Sequence, residues 1–126
     1  MKTILFVALG GALGASGRYA VGILTLHISG NNFQWGTIFV NVVGSFCLGV
    51  IVAAMTFAWS PSPEMRSFLI VGLLGGFTTF SAFSLETVVL LEKGHLELAL
   101  IYIVGTVLLS IAGLIAGLKL SRIILA

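Results

Sequence analysis

The sequence predicts an all-α membrane protein with four transmembrane helices. The first observation is composition: 59% of residues are hydrophobic and 8% charged, with a mean hydropathy of +1.21. Soluble domains carry about 45–50% apolar and about 25% charged residues. The second is length: an α-helix needs about 20 residues to cross roughly 30 Å of hydrocarbon, and apolar runs of that size recur four times between short polar connections. Four spans occupy nearly all of the 126 residues, so residues 1–126 are expected to form a single transmembrane domain without a soluble part.

The first span is expected over residues 3–26, ending in the turn-forming stretch HISGNN, residues 27–32. Its start, MKTILFVALGGALGA, also has the lysine, apolar core and small residues of a secretory leader. Apolar sequence resumes after Arg18, through YAVGILTLHI, which favours a retained helix. The second span is expected over residues 34–59, with Trp35 and Trp59 as interfacial aromatics near its ends. The connection SPSPE, residues 60–64, stops it through two prolines. The third span covers residues 65–91, the loop EKGHLE follows, and the fourth span covers residues 98–124.

The net charge of +2 comes from singly scattered basic residues, which read as topology signals rather than as an acidic-partner surface. Lys2, Arg66, Lys119 and Arg122 fall on one side of the membrane and Lys93 on the other. This leans toward cytoplasmic termini, although Lys119 can snorkel, and so small a bias is compatible with insertion in both orientations. The single cysteine, Cys47, sits in an apolar run without metal-ligand spacing and reads as a packing residue. The pairs Gly10 and Gly14, Gly72 and Gly76, and Gly113 and Gly117 have the spacing that lets membrane helices approach closely.

Polar residues inside the spans carry the functional information. Thr37, Asn41 and Ser45 lie four apart on the second span, and Tyr102, Thr106 and Ser110 on the fourth, so each set occupies one helix face. Such hydroxyls commonly bond the carbonyl four residues back, but two lines in register point to a shared path. On the third span, GGFTTFSAFS interrupts an apolar run with glycines and hydroxyls. A double glycine before Phe-Thr-Thr weakens the helix, and non-helical backbone at membrane depth is tolerated only when buried in protein or lining a cavity. An unwound turn would free carbonyls for a cation and amides for an anion. Phe77, Phe80 and Phe83 follow at intervals of three; their reading as core packing stands beside one in which positive ring edges face an anion.

Arg18 and Glu86 are charges within spans. An unpaired Arg at the bilayer centre costs at least about 3 kcal/mol on insertion scales. Arg18 is therefore expected to bond carbonyls or Glu86 at a helix end, or to face the ion. A path lined by hydroxyls and amides and poor in acids suits a small, strongly hydrated anion.

At these residues the chain resembles the Fluc family of fluoride channels, also called CrcB. The resemblance runs from GALGASGRY (11–19) through WGTIFVNVVGSF (35–46) to GGFTTFSAFS (75–84). It implies a passive, selective fluoride exporter of the bacterial inner membrane that protects against fluoride toxicity. It implies an antiparallel, dual-topology homodimer with two pores and a third helix broken near its middle. It places Asn41, Phe80, Phe83 and Ser81 along the anion's route with Tyr102, Thr106 and Ser110, and Thr37 and Ser84 are carried as further lining residues. Arg18 is carried as a vestibule or structural charge. A structural sodium ion at the dimer interface is implied on the backbone carbonyls of Gly75 and Thr78. One departure stands out: Ala82 occupies a position where the family usually has a hydroxyl residue, giving FSAFS and reduced expected throughput.

The rival reading is a small multidrug exporter, also four short spans, but such proteins rely on a glutamate in the first helix, where this chain has Arg18 and no acid. A purely structural subunit would leave the polar lines without a purpose. An enzyme is not expected, because Ser81 and Ser84 would need a nearby base and both histidines, His27 and His95, fall in loops near the surface.

Overall fold

The computed structural model describes residues 1–30 and 34–126. Helix α1 (Lys2–Ser29) ends where Gly30 adopts a left-handed conformation, φ 65°, and its N–H returns to the Leu26 carbonyl. Asn31 and Asn32 of the expected turn lie outside the described residues. Helix α2 (Trp35–Phe57) follows, then α3 (Pro63–Ser67), a π-helical stretch (Phe68–Leu74), α4 (Gly75–Phe77), α5 (Ser81–Glu92) and α6 (Leu96–Leu125). The runs Lys2–Ser29, Trp35–Phe57, Pro63–Glu92 and Leu96–Leu125 are each long and apolar enough to cross a bilayer. The protein is an all-helical, multi-pass membrane protein.

Helix ends differ from the expectations by small steps with local causes. Pro63 begins the third span, two residues before the expected start, because Ser62 accepts the Met65 N–H at 3.2 Å and proline suits the first helical position. Helix α2 stops at Phe57, which leaves Trp59 beyond its end. The π-helical stretch had no signature in the sequence; within it the Gly75 N–H points to the Ile70 carbonyl five residues back.

Small residues seat the spans in two seams. Gly10 and Gly14 of α1 face Gly72 and Gly76, and a Cβ added at Gly76 would come within 2.9 Å of the Gly11 carbonyl oxygen. In the second seam the backbones of α2 and α6 meet at Gly49, Gly113 and Gly117, where a Cβ on Gly113 would lie 3.1 Å from the Val42 oxygen. With lipid as solvent, such backbone approach and the dispersion it allows hold helices together. Glycine at these positions is a steric requirement. Between the seams, Phe83, Leu90, Ala99 and Tyr102 form a buried cluster that ties α5 to α6, with Ile38 of α2 and Ile103 against it.

Candidate functional site

The third span is interrupted at Thr78, whose backbone is extended (φ −84°, ψ 161°), and helix resumes at Ser81. This lies a full turn beyond the start of the double glycine. Gly75 itself is helical, φ −63° and ψ −36°, and Gly76 packs on α1, so Gly76 serves the seam and the unwinding falls on the threonines. Asn41 of α2 stabilises the unwound turn. Its Nδ2 donates to the Thr79 carbonyl at 2.9 Å, and its Oδ1 accepts the Thr79 N–H at 2.7 Å. Gly44, three residues on, gives the approach room, because a Cβ there would collide with the Thr78 methyl.

Side chains meet part of the backbone needs of this turn. The Thr79 hydroxyl accepts the Ala82 N–H at 3.1 Å, as an N-cap does, and lies 3.3 Å from the Ser81 hydroxyl. The Thr78 hydroxyl donates to the Leu74 carbonyl at 2.8 Å, and the Arg18 Nε donates to the Gly76 carbonyl at 3.1 Å. The interruption leaves the carbonyls of Gly75, Gly76, Phe77 and Thr78 without their usual helical donors, and two of those donors have found side-chain acceptors. The Thr79 N–H that would serve Gly75 goes to Asn41, and the Ala82 N–H that would serve Thr78 goes to the Thr79 hydroxyl.

A cavity of about 310 Å³ opens beside this turn, lined by Asn41, Ser45, Thr78, Thr79, Phe80, Phe83, Thr106 and Ser110 with Val107 and Ile111. Phe83 is buried and Phe80 is 76% exposed; their ring centroids lie 5.5 Å apart at 56°, and Phe83 meets Tyr102 at 5.2 Å and 48°. Tilted rings present edges, which carry partial positive charge, toward neighbouring space. The hydroxyls of Thr106 and Ser110 are buried and have no hydrogen-bond partner, and Thr106 is only 4% exposed. Unpaired buried hydroxyls are uncommon, so two in one cavity mark a place where an acceptor is expected.

A second cavity of about 310 Å³ lies across Thr79, lined by Arg18, Thr37, Val40, Thr79, Ala82 and Glu86 with residues of α1. Arg18 and Glu86 share this space, yet Arg18 bonds the Gly76 carbonyl and Glu86 accepts the Tyr102 hydroxyl at 2.7 Å. Thr37 hydrogen-bonds the same phenol.

The family model for CrcB-like protein, Camphor Resistance (CrcB), matches residues 5–118. The chain belongs to the CrcB-like family. It is 50% identical over 122 residues to a Rhodospirillum centenum protein, covering 97% of both chains. Over the same length it is 49% identical to an Agrobacterium fabrum protein and 52% identical to one from Rhizobium meliloti, each covering 97% of this chain and 98% of the relative. All three relatives carry the name fluoride-specific ion channel FluC.

In this CrcB-like chain the residues expected from sequence separate into groups. Asn41, Phe80, Phe83, Thr106 and Ser110 converge on the first cavity, while Thr37 and Arg18 line the second. Tyr102 is buried among Phe83, Glu86 and Thr37 and lines neither. Ser81 is exposed outside both, and the Ser84 hydroxyl donates to its own helix at the Phe80 carbonyl, 2.9 Å. Ala82 faces the second cavity, so the missing hydroxyl is absent from the Arg18 and Glu86 side rather than from beside the two phenylalanines. Thr79, which borders both cavities, was not singled out by sequence; the only cue was its place in FTTF opposite an in-span asparagine.

Proposed function

We propose that this CrcB-like chain is the subunit of a passive, fluoride-selective channel in the bacterial inner membrane that exports fluoride and limits its toxicity. The observation that carries the reading is the first cavity: two partnerless hydroxyls, an amide and two tilted phenyl rings from three helices around one space. Fluoride is small and tightly hydrated, so its lost water must be replaced by OH and NH donors and, more weakly, by ring edges. Relatives of nearly the same length named as fluoride-specific channels support that assignment. An inside-negative potential drives an anion outward by about 2.3 kcal/mol per charge per 100 mV, so no energy-coupling site is required.

The channel is an antiparallel, dual-topology homodimer with two pores, the third helix of each subunit being broken at Thr78. The large exposure of Phe80 at the cavity supports a second subunit closing the pore wall. A structural sodium ion at the dimer interface fits the residues present. Gly75 and Thr78 are among the carbonyls freed at the interruption, their helical donors being held by side chains, and Gly75 is exposed. Carbonyl oxygens are appropriate donors for such a hard cation. Sodium there would fix the dimer's centre and take no part in transport.

The test is reconstitution in potassium-loaded liposomes with valinomycin and electrodes selective for fluoride and chloride. Rapid fluoride release with negligible chloride release is expected; equal release of both ions, or of neither, overturns the proposal. Proton-coupled exchange of an aromatic cation would instead revive the multidrug-exporter reading, against which stand Arg18 in α1 and the hydrogen-bonded state of Glu86.

A further inference from the structure

We infer that Asn41 is a positioning residue for the cation seat: by capturing the Thr79 N–H it withholds that donor from Gly75 and leaves the Gly75 carbonyl available for coordination. The inference rests on the reading of Gly75 and Thr78 as sodium ligands. It departs from the simpler role of Asn41 as a donor to the anion, because both ends of its amide hold protein backbone. An asparagine amide has two N–H donors, and only one is engaged by Thr79, so the other remains for the cavity that Asn41 lines. One side chain then serves both ions, on two sides of one peptide group.

The geometry of the turn explains why a side chain is needed. A helix interior to a protein in lipid closes its i→i−4 bonds unless another partner competes. Gly75 is itself helical, so what keeps the Thr79 N–H from its carbonyl is the extended Thr78, ψ 161°, which turns the Thr78–Thr79 peptide away from the helix. The competitor is the Asn41 Oδ1 at 2.7 Å, while the paired contact from Nδ2 to the Thr79 carbonyl fixes the peptide's orientation. Gly44 admits α2 to this distance. Without the amide to hold that peptide, Thr78 is free to return to helical ψ, which turns the Thr79 N–H onto the Gly75 carbonyl and closes the seat.

The test uses the full chain in liposomes with ¹³C′-labelled glycine and ¹⁵N-labelled threonine, comparing wild type, Asn41→Leu and Asn41→Asp by solid-state NMR. Spectra are recorded in sodium and in N-methylglucamine. In wild type the Gly75 carbonyl resonance should shift between the two media. Asn41→Leu should lose that response and move the Thr79 amide resonance toward its helical position. Asn41→Asp, which keeps an acceptor for the Thr79 N–H and, in its protonated form, a donor for the Thr79 carbonyl, should retain both wild-type signatures while fluoride flux falls. Retention of the sodium response in both variants, or its loss in both, overturns the inference. Should Asn41→Leu fail to fold, loss of the response in a folded Asn41→Asp overturns it alone. Absence of a sodium response in wild type refutes the sodium reading. The latch is then judged by the Thr79 amide alone, which must move in Asn41→Leu and stay in Asn41→Asp.

Discussion

Helices α2 and α6 carry polar residues at identical spacing and use them in opposite ways. On α2 the amide of Asn41 is held at both ends by Thr79, and Thr37 bonds the Tyr102 phenol, so these polar groups organise protein. On α6 only Tyr102, at the near end of its line, is committed, to Glu86; Thr106 and Ser110 leave their hydroxyls without partners beside the first cavity. Both hydroxyls could have bonded the carbonyl four residues back, as Thr87 does to Phe83 at 2.8 Å on α5. Equal periodicity therefore marks a polar face without revealing its use. What lies across from the face decides, and α2 lies across from an unwound turn with backbone groups to satisfy.

The largest effect should come from breaking the structural side of this contrast. Asn41→Leu leaves the Thr79 N–H and C=O to find new partners, at about 1–3 kcal/mol for each group left unpaired, and removes a donor from the cavity. Fluoride flux in liposomes should fall by roughly a hundredfold or more, which is about 3 kcal/mol at 1.4 kcal/mol per tenfold. A folded variant with full flux would reduce Asn41 to packing.

Next come the rings. Phe80→Ile and Phe83→Ile should each suppress flux by well over tenfold, but only Phe83→Ile should also lower thermal stability, because Phe83 is 7% exposed and Phe80 76%. Normal flux in both variants would remove the ring-edge argument, and equal destabilisation would show that Phe80 is buried by a second subunit as thoroughly as Phe83 is by its own.

The α6 hydroxyls sharpen the comparison from its other side. Thr106→Val deletes a hydroxyl that stabilises nothing within the chain, so melting temperature should hold while flux drops roughly fivefold, the equivalent of about 1 kcal/mol for one hydrogen bond. Thr87→Val, which removes a back-bonded hydroxyl away from both cavities, should leave flux unchanged. A drop in flux of the same size in both would erase the distinction between partnered and partnerless hydroxyls.

The smallest effect is expected at Ala82. Because it faces the second cavity, Ala82→Thr adds a donor there rather than beside the ring pair. Flux should rise by roughly a factor of two, corresponding to about 0.5 kcal/mol, the low end for a net hydrogen bond. A tenfold rise would show that the hydroxyl belongs to the narrow part of the path after all.

Much of the architecture was legible from local pattern. Four apolar runs separated by HISGNN, SPSPE and EKGHLE define four spans, because hydrophobic length and helix-stopping residues act over neighbouring positions. The small-residue pairs were equally legible, although that Gly10 and Gly14 meet Gly72 and Gly76 is a matter of packing. The candidate site was legible only as a list of residue types, and five of the expected lining residues border one cavity. Less legible were the places where partners are distant in sequence. The double glycine and Phe-Thr-Thr suggested a weakened helix without saying which residue unwinds; in the structure it is Thr78, and the next residue is held by Asn41, 38 positions away. Arg18 reaches the Gly76 carbonyl across 58 residues, and Glu86 takes Tyr102 instead of the arginine.

The sequence alone determined that this chain is membrane-embedded, how many times it crosses, and which polar groups are placed where lipid would penalise them. Those properties follow from transfer free energy and helical period, which are sums over adjacent residues. Tertiary structure decided which of those polar groups are satisfied by protein and which are left without a protein partner. Hydrogen bonding is pairwise and directional, so a hydroxyl's fate depends on the one atom opposite it, and only packing through the two glycine seams chooses that atom.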